Sequence, residues 1–522
     1  MKNKIMSVEQ AAELVKDGDT VAASSAGIIG YPEYLAQALE KRFLETGSPK
    51  NLTVIAGCGH SAHDERGDSR FGHAGMIKRY IASHPMTTPT LQKMIESDEI
   101  EGYSLPQGIL NQLYRASAAK QPGLISKIGL GTYIDQRQRG GKLNDITKED
   151  IVELIRLDDE DWLFYKSLPV TVALVRATTA DENGNLTIEQ EALKLEILET
   201  ALAAKAQGGV VIAQVKAVAK YGTLNAKDVV VPGELVDAVV IADNPEETHR
   251  QTKKTVYSPY LSGELKIPID HVDYPDGPLS AEDIICRRAL FELYPGAVVN
   301  VGVGIGAGLG RQADIEGLRE KIVFTLELGI FGGTPTPMPD FGAAINAEAY
   351  IAHPTMFDFY HGGGLDLAFL GTAQVDKGGN VNVSCIAGHP SGQGGFIDIS
   401  QTSKKVVFVT FFKTKKFEAM IENGQLKIIR EGDIPKFVDQ VDQITFNGSM
   451  AMESDQEIVY ITERAVFKLT NEGLVLTETA PGVRLQEDII DQMGFVPIIS
   501  PSLKTMDERI FMPGRMGVFD KT

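Results

Sequence analysis

A chain of 522 residues has length for two or more domains with large cores. With 51 Lys and Arg against 70 Asp and Glu, its formal net charge of −19 argues against nucleic acid or an anionic membrane as a partner. Cys58, Cys286 and Cys385 stand far apart with no CxxC pair, which supports neither a disulfide framework nor a zinc site and suggests a reducing compartment.

The first residues, MKNKIMSVEQAAELVKDGDT, carry no apolar signal segment, so a cytoplasmic protein is expected. Within them, Ser7 followed by Gln10 predicts a capped helix, and TVAASS the first strand. PEYLAQALEKRFLE reads as a helix. LTVIAG, GLISKIGLGT, VTVALVRAT, GGVVIAQV and VDAVVIAD read as strands, and the Ala-, Leu- and Glu-rich TIEQEALKLEILETALAAKAQ as one long helix. In LPQGILNQLYRA, Gln107 precedes a glycine at a helix start, where it serves either as a cap or as an amide facing a ligand.

The Pro- and Gly-bearing segment HVDYPDGPLSAED places a domain boundary near Pro275–Leu279, giving domains 1–275 and 276–522. The second half repeats the style of the first. IICRRALFEL predicts a helix, and AVVNVGVG, KIVFTLE, VNVSCIAG, VVFVTFF and IVYITERAVF predict strands. The run PGAVVNVGVGIGAGLG is too short and too rich in glycine to cross a membrane. Alternation of strand and helix throughout implies an α/β fold with largely parallel sheets.

FTLELGIFGGTPTP sets one acid, Glu327, at the end of an apolar run and before a Gly- and Pro-rich turn. A carboxylate in so backbone-rich a place is costly unless it is paired or used. Three readings stand open: a solvated loop acid, a ligand for a ribose hydroxyl, or a nucleophile. Gly302-x-Gly304-x-x-Ala307 fits the loose dinucleotide fingerprint, with Glu327 20 residues beyond Ala307. Against that, the crossover is short and carries Gly317, and the turn after Glu327 exposes amides suited to an oxyanion.

Two more clusters, FYHGGGLDLAFLG with Gly363 and Gly364, and GHPSGQGGFIDIS with Gly392, Gly394 and Gly395, let backbone approach a ligand closely. No GxSxG elbow, Walker loop or HxxxH pair is present, so no metal is expected. Cys58, in IAGCGH, reads better as a small buried residue than as a nucleophile.

LELGIFGGTP, GGGLDLAFLG and GQGGFIDI, in that order, resemble the C-terminal half of class I, glutamate-dependent CoA-transferases. SSAGIIGYPEYL, LPQGILNQLYRASAAKQPGLISKIGLGTYID, VRATTADENGNLTIEQEA and VVVPGELVDAVVIA are similar to the N-terminal half, and QITFNG, VYITERAVFKLT and LTETAPGV extend the match toward the C-terminus. The long PQG segment and the TERAVF region look like the single-chain acetate/propionate CoA-transferase type.

The resemblance implies two related α/β domains with the active site at their interface. Glu327 is then the nucleophile and Gly395 an oxyanion-hole amide. Gln107, Gly302, Gly304, Gly363, Gly364, Gly392, Gly394 and Phe396 become substrate- or CoA-binding positions. Coenzyme A enters as substrate and covalent intermediate, with no resident cofactor, and a homo-oligomer, tetramer or dimer, is expected. Relatives often carry Asn or Gln in the turn after the LTVI strand; this chain has Ala56-Gly57-Cys58-Gly59-His60. A thiol is a poor donor, which leaves Cys58, His60 and Gln107 as alternatives for the second oxyanion donor. An acyl-CoA hydrolase on the same fold, and more distantly an NAD-dependent dehydrogenase, are the competing functions.

Overall fold

The computed structural model describes residues 3–268 and 277–520. Its first helix, Val8–Ala12, starts as the sequence predicts: Ser7 Oγ accepts the Gln10 N–H at 3.3 Å, and Gln10 Oε1 accepts the Ser7 N–H at 3.1 Å. The chain then enters a parallel sheet in the order Ala238–Ile241, Val210–Ala219, Val172–Asp181, Thr20–Ala23, Leu52–Ala56, Ile77–Ala82, Glu101–Ser104. Leu186–Thr187 adds an antiparallel ribbon to Val172–Asp181.

Strands buried on both faces need unbroken apolar runs, and Leu52–Ala56 is buried at every position. Successive residues serve opposite cores. Val54 packs in the cluster that holds Leu35 and Leu39 of helix Glu33–Thr46. Ile55 packs with Leu110 and Leu113 of helix Gln107–Ala118 and Ala201 of helix Ile197–Ala206.

The second sheet has ten strands, in the order Ala349–Tyr350, Ile330–Phe331, Val323–Leu326, Val298–Val301, Leu367–Leu370, Lys405–Val409, Glu457–Ile461, Ala465–Thr470, Gly473–Thr479, Ile498–Thr505. Its five central strands are parallel, and antiparallel hairpins extend both sides. One apolar cluster runs through both sheets, holding Ile109 and Leu110 together with Phe357 and Ile397. Both sheets reverse their winding at an internal strand pair, Thr20–Ala23 beside Val172–Asp181 and Val298–Val301 beside Leu367–Leu370. Crevices open at the carboxyl ends of such pairs.

Four expectations change. TIEQEALKLEILETALAAKAQ is helical only over Ile197–Ala206, because Leu195 turns through φ +52° to offer its carbonyl to the His353 N–H at 3.1 Å. GLISKIGLGT supplies Gly123–Ser126, which joins Val152–Leu157 and Glu160–Lys166 in a separate antiparallel sheet. VNVSCIAG forms two short ribbons, Val381–Asn382 and Cys385–Ile386. IVYITERAVF is two strands folded back at Thr462–Arg464. The division at Pro275 lies outside the described residues. No helix among the described residues is long and apolar enough to cross a membrane.

Candidate active site

The two sheets point the carboxyl ends of their parallel strands at one another, and a cavity of about 530 Å³ lies between them. Each lining turn follows a strand. Ala26–Ile29 come after Thr20–Ala23, Cys58 after Leu52–Ala56, His84 after Ile77–Ala82 and Gln107 after Glu101–Ser104. From the second sheet, Gly302 follows Val298–Val301, Glu327 follows Val323–Leu326 and Gly371–Ala373 follow Leu367–Leu370.

Glu327 begins a three-residue turn, since Leu326 pairs with Ile330 across the hairpin and the Gly329 N–H donates to Leu326 O at 3.0 Å. Only glycine fits the end of that turn. Gly329 has φ +105°, and a Cβ there would stand 2.2 Å from Ile351 O. Beneath the acid, Asn300 Nδ2 donates to Tyr360 Oη at 3.2 Å and Tyr360 Oη donates to Thr325 Oγ1 at 2.8 Å.

The Glu327 residue is half-buried, yet its Oε2 is shielded from solvent and has no hydrogen-bond partner among the described residues. Burial raises its carboxyl above the ordinary glutamate range, while its own N–H and Asn300 pull it back in part. A shielded carboxylate oxygen without a partner marks a candidate functional group.

The glycine loop closes the opposite wall. Ser83 O accepts the N–H groups of Gln393 at 3.0 Å and Gly394 at 2.9 Å. Gly392 has φ +77°, and a Cβ there would lie 2.4 Å from Pro85 Cδ. Gly395 lines the cavity at the start of helix Phe396–Thr402, and among the described residues nothing accepts its N–H. Phe396 adds an apolar face.

Gln107 is the first helical residue and makes no cap; the cap position is Pro106. Its carboxamide Nε2 instead meets His353 Nε2 at 2.8 Å, and His353 Nδ1 meets Glu196 Oε2 at 2.8 Å. Glu196 Oε1 accepts the Ser25 N–H at 3.0 Å. All four residues are buried.

Cys58 lines the cavity, and burial together with Glu327 pushes its thiol up to about 12, so it stays protonated rather than nucleophilic. His60, the other alternative for an oxyanion donor, is absent from the cavity wall. It is buried edge-on to Tyr31, with Nδ1 3.4 Å from Asp68 Oδ2. His84 does reach the cavity; burial and His63 lower it to about 4, which keeps it neutral.

The structure therefore brings Glu327, Gly395, Gln107, Gly302, Gly392, Gly394 and Phe396 together. Gly304, Gly363 and Gly364 lie outside the wall of this cavity. Gly363 and Gly364 turn helix His353–His361 into strand Leu367–Leu370, so they sit at the amino end of that strand, away from the cavity. Gly304 lies one turn beyond Gly302, outside the wall. Residues that sequence reasoning passed over are Glu196, His353, Asn300, Tyr360, Lys253 and Lys436. Asn300 carried a signal, a polar residue inside the apolar strand AVVNV; the others had none, because their partners are remote in sequence.

A family model described as Coenzyme A transferase matches residues 5–242. The chain is 45% identical over 513 residues to caffeate CoA-transferase of Acetobacterium woodii, covering 97% of each protein. It is 41% identical over 514 residues to acetate CoA-transferase YdiF of Escherichia coli K12, covering 98% of this chain and 96% of that one. The crystal structure of acyl-CoA transferase (YdiF) apoenzyme from E. coli O157:H7 superposes with a TM-score of 0.93 at 40% identity, covering 99% of this chain and 97% of that one. The thioester complex of that protein with CoA superposes with a TM-score of 0.92. The chain belongs to the coenzyme A transferase family. It is an enzyme of the CoA-transferase class, with both halves of the fold on one polypeptide.

Proposed function

We propose that the enzyme moves CoA from a short-chain acyl-CoA to a free carboxylate such as acetate or propionate, through a glutamyl-CoA thioester on Glu327. The observation that carries this reading is the shielded, unpartnered Glu327 Oε2 in a cavity shared with the free Gly395 N–H.

Glu327 attacks the donor thioester carbonyl. The C–S bond breaks, leaving a mixed anhydride and CoA thiolate. The thiolate then adds to the glutamyl carbonyl, the first acid departs as its carboxylate, and a glutamyl-CoA thioester remains. An acceptor carboxylate runs the sequence in reverse, so thioester energy is conserved without ATP. Each addition creates an oxyanion, for which Gly395 N–H and the Gln107 carboxamide are the donors. Walls such as Ile28, Phe341, Leu370 and Phe396 keep out the water that would hydrolyse both intermediates.

Lys253 and Lys436 are the lysines of the wall, and we assign them to the phosphates of CoA. CoA is thus a substrate and covalent intermediate, with no cofactor resident. The proposal also takes residues 1–275 and 276–522 as the two domains of a cytoplasmic homo-oligomer, dimer or tetramer. The separation of the two main sheets between the halves supports that division. The dinucleotide reading loses support from the position of Glu327, which shares one cavity with the 392–396 loop and Gln107.

The test is mass spectrometry of the enzyme mixed with propionyl-CoA in the absence of acceptor. A CoA adduct on the Glu327 peptide, discharged by acetate or propionate, is expected. Free CoA accumulating with no adduct identifies a hydrolase instead.

A further inference from the structure

The mechanism above uses Gln107 but leaves unexplained the buried carboxylate–imidazole pair behind it. Glu196 and His353 are fully buried and come from opposite halves of the chain, and among the described residues neither side chain hydrogen-bonds a hydroxyl or thiol. Burying an acid and an imidazole is costly unless each is satisfied. Here the satisfaction is directional. Glu196 Oε1 is held by the Ser25 N–H, so Oε2 is fixed to accept from His353 Nδ1. With its proton on Nδ1, the neutral ring presents Nε2 as an acceptor, and the Gln107 Nε2 amide donates to it at 2.8 Å.

Three further bonds fix the surroundings. Gln107 N–H donates to Gly394 O at 3.2 Å, Asn111 Nδ2 donates to Gln107 O at 2.7 Å, and His353 N–H donates to Leu195 O at 3.1 Å. The first ties the backbone of Gln107 to the glycine loop that carries Gly395, and the last ties His353 to the residue before Glu196.

We infer that Glu196 and His353 are positioning residues that fix the Gln107 carboxamide, so that one amide N–H is spent on His353 and the other is aimed at the oxyanion beside Gly395. The inference rests on the proposed role of Gln107 as an oxyanion donor. A free glutamine side chain samples several rotamers and both amide faces, and the bond to His353 fixes one of them. Preorganised donors act because they are already in place when charge develops, and a donor held by partners on rigid elements is held more accurately than one held by packing alone. The pair also crosses between the two halves of the chain, so the donor is set only when both walls of the cavity are assembled.

The experiment is a double-mutant cycle on kcat with saturating propionyl-CoA and acetate. His353→Asn keeps a group at Nδ1 for Glu196 but cannot reach Gln107; His353→Gln keeps a group at the Nε2 position that can accept from Gln107. We expect His353→Asn to lower kcat roughly 10- to 100-fold with KM little changed, and His353→Gln to retain more activity than His353→Asn. In a Gln107→Ala background, His353→Asn should change kcat by less than about twofold, because the group it positions is gone. An equal loss in both backgrounds, or His353→Gln as damaging as His353→Asn, overturns the inference. If His353→Asn does not fold, Glu196→Gln replaces it in the same cycle, and an equal loss with and without Gln107 overturns the inference. Gln107→Ala leaving kcat unchanged removes the donor role and this inference together, while the Glu327 adduct would still form and the transferase reading would survive.

Discussion

Two stretches of this chain bury glutamates and treat the charge in opposite ways. In the segment before helix Ile197–Ala206, Glu191 accepts from Arg176 Nη2 at 2.5 Å and pairs with His249 Nε2 at 3.0 Å, while Glu196 is held by Ser25 and His353. In the turn after Val323–Leu326, Glu327 Oε2 has no partner among the described residues. Burial would raise Glu191, yet Arg176 and then His249 hold it well below the usual carboxylate range; for Glu327 burial prevails and the carboxyl is raised. Satisfied acids fix a scaffold, whereas the proposed nucleophile keeps one oxygen without a partner. The difference gives each acid its own signature under mutation.

The largest effect belongs to Glu327→Gln. Transfer should fall by about 10⁴-fold or more, since no nucleophile remains. The same change should make the fold slightly more stable at neutral pH. A carboxyl whose pKa is raised on folding favours the folded state when protonated, and that contribution is lost as the pH rises through the raised value. Removing the charge therefore raises Tm, by ~1–2 °C. A drop in Tm would mean that the carboxylate is satisfied after all. For the wild type, kcat/KM should fall on the acid side at a pH above that of an ordinary glutamate, as the nucleophile becomes protonated.

Glu191→Ala should behave in the opposite sense. It strands Arg176 and His249 in a buried site, with an expected loss of about 3–5 kcal/mol in denaturant unfolding. Its depressed pKa makes the stabilisation present at neutral pH and lost as the pH falls below the ordinary glutamate range. The gap between wild type and variant should thus narrow toward acid. A gap that widens in acid would contradict the pairing.

This contrast also marks what the sequence could tell. The parallel strands were legible because both-face burial writes itself as runs such as LTVIA, and Glu327 was legible as the candidate nucleophile because it stands against a turn that only glycine can close at Gly329. Gly363 and Gly364 fall in a helix-to-strand turn outside the cavity wall, and sequence could not separate them from the lining glycines because such a turn and a ligand loop ask for the same residue type. The long helix expected from Thr187 failed because local propensity is weaker than the demand of Glu191 and Glu196 for partners far away in sequence. His353, next to a proline at a helix start, looked like any helix opening. Its meaning depends on Gln107 and Glu196, which only the fold brings near.

Lys436 extends the comparison to a cation. Arg176 is buried and paired, whereas Lys436 lines the cavity with its Nζ donating only to the carbonyl of Thr372 at 3.1 Å, and among the described residues no carboxylate stands within ion-pair reach. Burial lowers its pKa, so the ammonium form gains from an anion brought by the ligand. If that anion is a CoA phosphate, Lys436→Met should raise KM for propionyl-CoA by roughly tenfold, about 1.4 kcal/mol, with kcat little changed. Propionyl-pantetheine, which carries the same thioester without the phosphates, should be used equally well by both enzymes. Added salt should narrow the difference with propionyl-CoA. An equal penalty on both donors would move Lys436 from the phosphates to the reacting centre. A penalty on acetate alone would make it a contact for the acceptor carboxylate. Only the split between the two donors leaves Lys436 as the cationic counterpart of Glu327, a half-buried charge kept without an ion-pair partner for its substrate.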